Sequence, residues 1–348
     1  MAYTTINKSK DHFDGKIYLG SSSAVTVTGL EFQPDLVWVK DRDNGNNHCW
    51  VDAVRGVGKY IQSDNNSAEV NNSTNSISAF TSDGFTVGTG NPANESASTT
   101  KGFMSWNWKG NGAGSANTDG SINSTVSVNA TSGFSIVKWT GTGANATIGH
   151  GLGAVPKMII CKSMNSGEWG TYHVSNGATK YIYLNTTAGA LSATAVWNDT
   201  APTSSVFSVG TSGASNESGE MIAYCFAEKT GYSKFGSYVG NGNADGTFIY
   251  TGFKPAFVMV KTTTLSTEGW FMYDNTRSES NPTNDALLAN LSNAEYADSG
   301  TFTLDLLSNG FKLKNSDGSH NGSGQSYIYM CFAEAPLVGS NNVPCTAR

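Results

Sequence analysis

The sequence contains one pattern three times: FQPDLVWVK at residues 32–40, VPKMIICK at 155–162 and FKPAFVMVK at 253–261. In each copy a proline is followed by five mostly apolar residues and then by a lysine. A short, continuous apolar run after a strand-breaking residue is typical of a β-strand buried on both faces. Proline fits at the entrance of such a strand, because its missing N–H costs least there. These stretches therefore predict three central strands.

Further landmarks surround each copy in the same order. An aromatic stretch that ends in glycines precedes the proline, as YLG (18–20), WTGTG (139–143) and YVGNG (238–242). A tryptophan follows the proline, at Trp50, Trp169 and Trp270. An apolar strand closes each copy, as MSWNW (104–108), IAYCF (222–226) and IYMCF (328–332). Several landmarks in one order at similar spacing predict an internal repeat.

The repeat divides the chain into three units and the segments around them. The units are residues 13–109, 133–229 and 230–335, with an N-terminal arm at 1–12 and a C-terminal tail at 336–348. Residues 110–132 are rich in Gly, Ser and Asn and are typical of a linker. Part of that segment, STVSV at 124–128, alternates like a strand and could also pair at a sheet edge.

The fold class that follows is all-β, with three tandem antiparallel β-sandwiches. About 100 residues per unit with many short strands suit such a sandwich, and the pattern leaves jelly-roll and immunoglobulin-like topologies open. The dipeptides Asp83-Gly84 and Asn309-Gly310 are typical of tight hairpins. Only NDALLANLSN at 284–293 has a short helical pattern.

Composition excludes several classes of protein. The chain has 348 residues, a net charge of -6 and only 14% charged residues, which argues against a nucleic-acid-binding protein. No apolar run approaches the roughly 18 residues of a membrane helix, and the N-terminus lacks a signal-peptide core. Five cysteines without a CxxC pair predict neither a disulfide scaffold nor a zinc site. We therefore expect a protein without membrane insertion, made in a reducing cytoplasm.

The ordered stretches resemble a repeated β-domain family of unknown function found in tailed bacteriophages, mostly of marine and cyanobacterial hosts. The stretches that carry the resemblance are FQPDLVWVK (32–40), DAVRG (52–56), TSDGF (81–85), TDGSI (118–122), GFSIVKWTGTG (133–143), GHGLG (149–153) and CFAEA (331–335). The ending VPCTAR (343–348) is similar to the natural C-terminus of that family. The resemblance implies a structural, tail or fibre protein of the virion, and it implies no catalytic residue.

A calcium loop is the first candidate site that the residues offer. The loop DRDNGNN (41–47), with Asp52 eleven positions after Asp41, is similar to an EF-hand loop. However, its glycine is at position 5 instead of 6, position 12 has no Glu, and the loop lies between strands. We therefore predict a polar hairpin loop and no metal site.

Hydrolysis requires two placed carboxylates. The candidates are Asp35, Asp41, Asp43, Asp52, Glu168, Glu228, Asp274 and Glu334. Glu228 and Glu334 occupy equivalent repeat positions, and a structural residue at a strand end recurs more readily than a catalytic one. We therefore predict no catalytic residue, no cofactor and no enzyme.

Histidines and tryptophans complete the candidates. His48, His150 and His173 lie at different repeat positions and are interpreted as surface or loop residues. The glycine strings near Gly141 and Gly149 open no helix and are interpreted as turns. Trp197 lies outside the shared pattern and is therefore a better candidate for a contact surface than the tryptophans at repeat landmarks.

These observations lead to an expected role on the surface of a virion. The leading hypothesis is an exterior decoration protein or short appendage that adheres to other virion proteins, because neither heptads nor a β-helix repeat suggests a long fibre. The alternatives are a receptor-binding fibre or spike that recognises a bacterial surface glycan, and a polysaccharide depolymerase. We expect a closed homo-oligomer, and analogy with phage appendages suggests a trimer.

Overall fold

The computed structural model describes residues 3–297 and 300–338. The secondary structure of these residues is nearly all β, as predicted from the sequence. Named strands pair antiparallel in every sheet, and none of the described sheets closes into a barrel. The architecture consists of three large sheets, each covered on one face by a smaller sheet.

The first large sheet, main sheet 1, comes from residues 13–108. A 3₁₀ turn at Ser9–Asp11 precedes it, and the strands of this part of the chain are β1 (Phe13–Tyr18), β2 (Val25–Val27), β3 (Leu36–Asp41), β4 (Cys49–Asp52), β5 (Lys59–Tyr60), β6 (Val70–Asn71), β7 (Ile77–Thr81), β8 (Gly84–Val87) and β9 (Phe103–Trp108). Main sheet 1 has the order β1-β9-β3-β4, and its small covering sheet has the order β2-β8-β7.

Main sheet 2 is formed by the middle of the chain. Its elements are β10 (Ser115–Asn117), β11 (Ser124–Asn129), β12 (Phe134–Gly141), β13 (Ala146–Gly149), β14 (Met158–Ser163), β15 (Gly170–His173), β16 (Lys180–Tyr183), β17 (Leu191–Ser192), α1 (Thr194–Trp197), β18 (Val206–Val209), α2 (Gly213–Asn216) and β19 (Gly219–Phe226). The strand order is β10-β11-β12-β19-β14-β15-β16-β17, and β13 pairs with β18 as the small sheet.

Main sheet 3 is formed by the last part of the described chain. Its strands are β20 (Ser233–Val239), β21 (Phe248–Tyr250), β22 (Phe253–Thr262), β23 (Phe271–Asp274), β24 (Leu287–Leu288), β25 (Leu304–Leu307), β26 (Gly310–Leu313) and β27 (Ser326–Pro336). The main order is β20-β27-β22-β23-β24, and β21-β26-β25 form the small sheet. All three main sheets therefore share one sequence of neighbours: first strand, closing strand, proline-led strand, next strand.

The proline-led strands are buried on both faces because each face has its own core. In β3, Val37 and Val39 face a core enclosed by main sheet 1 and its small sheet. Leu36 and Trp38 point the other way, into a cluster to which all three main sheets contribute. The strands β14 and β22 alternate in the same manner between a separate core and this common core. Side chains on alternate sides of a strand thus serve two different cores.

Aromatic rings dominate the centre of the common core. Phe13 stacks on Phe332 with ring centroids 5.0 Å apart, and Phe134 stacks on Phe226 at the same distance. The ring centroid of Trp108 is 6.2 Å from that of Phe226 and 5.7 Å from that of Phe332. Trp108 therefore connects all three main sheets. Each such pair contributes about 0.5–1.5 kcal/mol beyond the burial of its apolar area. The three sheets are therefore packed as one body.

The N-terminal arm is fixed against main sheet 3. The hydroxyl of Thr4 donates to the carbonyl of Thr230 at 2.7 Å, and that of Tyr3 donates to the carbonyl of Gly252 at 2.7 Å. Ile6 contributes to the common core. The arm thus joins the start of the chain to its last sheet. The end of the predicted C-terminal tail, residues 339–348 with Cys345, lies outside the described residues.

Three local predictions differ from the structure. Residues 284–293, predicted as a short helix, contain the strand β24, whose Leu287 and Leu288 pair with β23. Pro255 lies inside β22 at an irregularity of the ladder, where a missing N–H is tolerated, and not at the strand entrance. The segment predicted as a linker, 110–132, supplies β10 and β11, which extend main sheet 2 at its edge. The structure therefore has the alternative arrangement, in which residues 124–128 form a strand at the sheet edge.

Candidate functional site

The junctions between the main sheets are built from equivalent residues. Asp52, His173 and Asp274 each lie opposite the second residue after the repeated proline, in the pairs Leu36–Asp52, Met158–His173 and Phe257–Asp274. All three side chains are buried. Each accepts a hydrogen bond from a backbone N–H two residues later, from Val54, Ser175 and Thr276 respectively. The histidine of the second unit thus replaces the aspartate of the other two.

Each of these three residues bonds to the next sheet in a ring. The contacts are Tyr224 hydroxyl to Asp52 Oδ2 at 2.8 Å, His173 Nε2 to the Tyr329 carbonyl at 3.2 Å, and Trp106 Nε1 to Asp274 Oδ2 at 3.1 Å. Sheet 1 therefore contacts sheet 2, sheet 2 contacts sheet 3, and sheet 3 returns to sheet 1. The chain is a pseudo-threefold assembly within one polypeptide.

A second ring of contacts links the same three pairs of units in the reverse direction. The backbone N–H of His48, Trp169 and Trp270 donates to the side chains of Asp64, Asn185 and Asn290, respectively. Their rings then bond across the junctions: His48 Nε2 to the Leu288 carbonyl at 2.9 Å, Trp169 Nε1 to the Gln62 carbonyl at 3.0 Å, and Trp270 Nε1 to the Tyr183 carbonyl at 2.9 Å.

These contacts correct one predicted landmark. The counterpart of Trp169 and Trp270 in the first unit is His48, although the sequence pattern predicted Trp50. Trp50 instead pairs with Trp38 in the ladder and lies in the common core. The sequence misled because residue type was matched, whereas the equivalence lies in the backbone position.

Backbone hydrogen bonds form a third set of contacts across the junctions. The amides of Glu69, Ala190 and Glu295 donate across to the next sheet at 2.9, 2.9 and 3.0 Å, and their acceptors are the carbonyls of Met164, Thr263 and Arg42. Each acceptor lies two residues after the repeated lysine. Three independent sets of contacts therefore join the same three pairs of units.

Two of the three junctions also contain a buried ion-pair network. Arg55 Nε contacts Asp52 at 2.6 Å, and its Nη1 contacts Glu69 at 3.0 Å. Arg277 contacts Asp274 at 2.7 Å and Glu295 at 3.1 Å in the same arrangement.

Arg42 adds a further contact to the second of these networks, because its Nε lies 2.9 Å from Glu295. Burial alone would raise the pKa of Glu295, but Arg277 and Arg42 lower it overall. The carboxylate is therefore charged and paired in the folded protein.

The repeated lysines are buried as well. Lys40, Lys162 and Lys261 are 0% exposed. Each ammonium group donates to two backbone carbonyls, with donor–acceptor distances from 2.6 to 3.3 Å. Burial lowers the pKa of each of the three amines to about 8, against the effect of nearby carboxylates. Their shared task is to satisfy loop carbonyls at the end of the proline-led strand.

The predicted polar loop at 41–47 is closed by its own hydrogen bonds. Asp41 accepts from the amides of Asp43 and Asn44 at 2.8 and 3.1 Å and from the hydroxyl of Ser98 at 2.5 Å. Asp43 accepts from the amides of residues 100–102 at 3.0–3.1 Å. Asp52, the twelfth position of the EF-hand-like spacing, lies in a junction and bonds to Tyr224. The described residues contain no group of three or more His, Cys, Asp or Glu that could hold a metal ion.

The other predicted carboxylates are dispersed. Glu228 pairs with Lys234 at 3.0 Å and Glu334 with Lys254 at 2.9 Å, both at strand ends. Asp35 accepts from the amides of Gly110 and Gly112, and burial raises its pKa overall despite these bonds. Glu168 bonds to the side chain of Asn185. Asp52 and Asp274 belong to different junctions.

The histidine and Trp197 predictions are corrected by burial. His48, His150 and His173 are 0%, 0% and 1% exposed, so they are interior and not surface residues, although His48 and His150 do lie in loops. Burial lowers the pKa of His48 to about 3 and that of His173 to about 4, so both are neutral. Trp197 is also buried, packed edge-on against Tyr172 at 5.9 Å in the separate core of main sheet 2. It therefore offers no contact surface.

Sequence reasoning missed Arg55, Arg277 and the three lysines as junction and loop residues. The available signal was the spacing Asp-x-x-Arg, which occurs at both Asp52 and Asp274, and the lysine at a fixed place after each apolar run. A charged residue that recurs at one repeat position is a candidate for a buried structural role.

Comparison with known families gives a match over almost the whole chain. The model described as domain of unknown function DUF7483 matches residues 8–336. No curated protein and no solved structure matches the chain. No described helix has the length and apolar character required to cross a membrane.

Proposed function

We propose that this chain, which belongs to the DUF7483 domain family, is a structural protein of a tailed-phage virion. It lies on the particle exterior as a decoration protein or as part of a short appendage. It acts by adhesion, through contacts with neighbouring subunits and other virion proteins. The resemblance of its ordered sequence stretches to phage structural domains supports the assignment to a virion.

One observation supports the proposal most strongly: acidic and histidine side chains that could act in catalysis instead hold the three main sheets together. Asp52, His173 and Asp274 occupy one repeat position and bond to the next sheet in turn. Groups that recur in this manner have a symmetric structural task. A rigid, pseudo-threefold body with many surface loops suits a particle component that must stay folded outside a cell.

The surface is consistent with adhesive contacts. The charged fraction is only 14%, and the remaining polar character comes from uncharged side chains. Such surfaces form wet, hydrogen-bonded interfaces with few ion pairs. Exposed apolar side chains are also present in main sheet 3 and its small sheet, at Val239, Phe248 and Tyr250. They supply apolar contact area beside polar loops.

Receptor binding is the alternative role on the same particle. A fibre or spike that recognises a bacterial surface glycan would also use loops on a rigid β scaffold. A depolymerase is the second alternative and would require a carboxylate pair of roughly 5–10 Å separation in a groove.

Copy number and native mass test the proposal. We expect purified virions to contain the chain, and quantitative mass spectrometry against the major capsid protein to give its copy number. Hundreds of copies over the shell indicate decoration, whereas a few copies at the tail or a vertex indicate an appendage. Native mass spectrometry tests the homo-oligomer, for which a trimer has three times 36.6 kDa. Absence of the chain from washed virions would refute the virion assignment.

A further inference from the structure

The junction between main sheets 2 and 3 differs from the other two. At the position of Arg55 and Arg277 the second unit has Asn176, three residues after His173. At the position of Glu69 and Glu295 it has Ala190, whose amide makes the same cross-sheet bond. The arginine and glutamate that fill the equivalent space elsewhere are therefore both replaced by smaller, uncharged residues.

A cavity of about 440 Å³ lies at this junction. Asn176 and Ala190 line it, together with residues from the facing strands of main sheet 3. Its size falls in the range of small-molecule sites, roughly 300–1,000 Å³. The cavity thus lies where the arginine and glutamate form an ion pair in the other two junctions.

The walls of the cavity are rich in hydroxyl groups, of which those of Thr263 and Thr264 donate within the protein and act as acceptors for a ligand. Hydroxyl side chains contribute much of the lining, at Ser175, Ser237, Thr263, Thr264 and Ser326. Lys180 is exposed at the rim and is the one charged lining residue that the structure describes. A cavity with a cation, many hydroxyls and no lining carboxylate suits an anionic ligand that itself carries hydroxyl groups.

We infer that this cavity is a binding site for an acidic sugar unit, such as a hexuronate in a polysaccharide. The carboxylate of the sugar pairs with the ammonium group of Lys180 at the rim, and the ring hydroxyls bond to the serine and threonine walls. The inference rests on the missing ion network and on the hydroxyl-rich lining with its single cation among the described residues, and it is independent of the proposed virion role.

Isothermal titration and ligand-observed NMR of the full chain test this site. The probes are glucuronate and galacturonate, with glucose as the neutral control. We expect both uronates to bind, and glucose to bind about tenfold more weakly because it lacks the charged acceptor. Equal binding of glucose would refute an acidic ligand, and no binding of either uronate would refute the site.

Two variants localise the binding. Asn176→Arg with Ala190→Glu restores the pair present in the other junctions, fills the cavity and is expected to abolish uronate binding. Lys180→Gln is an exposed change that should preserve the fold and weaken uronate binding several-fold without affecting glucose. Uronate binding that survives in both variants would overturn the proposal. If the filled variant fails to fold, the Lys180→Gln comparison decides alone.

Discussion

At the scale of single residues, the buried carboxylate Asp52 is the clearest stability determinant. Its two side-chain partners are Arg55, in the turn after β4, and Tyr224, in β19 of the next sheet. We expect Asp52→Ala to lower the free energy of unfolding by about 3–5 kcal/mol, because it leaves a buried guanidinium without its nearest counter-charge. Urea unfolding monitored by tryptophan fluorescence measures this change.

The matched control is Glu228→Ala, which removes a part-exposed ion pair with Lys234. Surface pairs contribute about 0–1 kcal/mol, so this variant should remain close to the wild type. Equal losses in the two variants would contradict the structural role assigned to the junction.

The neutral His173 predicts a pH dependence of stability. Its pKa is about 4 in the folded chain and about 6.5 when unfolded. Because the unfolded state binds the proton more readily, this contribution to stability is complete above pH 6.5 and is lost as the pH falls toward 4. The full loss is on the order of 3 kcal/mol at one site.

A comparison with His173→Asn separates the contribution of this histidine from that of the carboxylates, whose protonation also lowers the free energy of unfolding in acid. We expect the wild type to lose more unfolding free energy than the variant between pH 7 and pH 4.5. Parallel stability curves for the two proteins over this interval would show that His173 does not titrate on unfolding.

At the scale of elements, three glycines explain why the aromatic strands end where they do. A Cβ added to Gly20, Gly141 or Gly240 would lie 1.9, 2.0 and 2.3 Å from a backbone carbonyl oxygen, respectively. Real Cβ atoms do not approach backbone so closely, and the strand must therefore shift. The repeated glycine in the sequence pattern marks this close approach of two backbones.

Gly141→Ala should therefore destabilise the chain by about 1–3 kcal/mol, as for other overpacked positions. Gly45→Ala is the control, because its nearest neighbouring atom is 3.8 Å from the added Cβ. Thermal unfolding of the two variants measures the difference. A Gly141→Ala protein as stable as Gly45→Ala would show that the strand can move freely.

The elements also show what the sequence could predict. Continuous apolar runs after proline correctly predict β3, β14 and β22 as interior strands, because burial on both faces removes the polar alternation. The run around Leu287 misled, since a short apolar stretch fits a helix or a buried strand equally well. This stretch forms a strand because it pairs with β23. The local sequence pattern does not show pairing between segments that are distant in the chain.

The candidate junctions were harder to predict than the strands. Repeat alignment by residue type placed Trp50 beside Trp169 and Trp270, whereas backbone bonding shows His48 in that place. His48 and His173 looked like surface or loop residues because their burial depends on neighbouring sheets. Sequence shows which residues are apolar, but not which sheet will cover the second face of a strand.

At the scale of the whole molecule, the common core makes the three sheets interdependent. Main sheet 2 contributes Ile136, Ile160 and Tyr224 to that core, and other sheets cover them. An isolated fragment of residues 110–229, which keeps all strands of main sheet 2, would expose this apolar face to water. Fully burying one such side chain contributes about 1.5–3 kcal/mol, so the loss over one face exceeds the 5–15 kcal/mol typical of domain stability.

We therefore expect the complete chain to unfold in a single cooperative transition, with coincident far-ultraviolet circular dichroism and tryptophan fluorescence. We also expect the fragment 110–229 to aggregate or to lack fixed tertiary structure, as judged by its NMR dispersion. A fragment that folds reversibly, together with separate transitions in the full chain, would mean that three sandwiches are independent domains. Asp52→Ala then distinguishes the two views further: it should lower the midpoint of all signals together if the sheets unfold as one body.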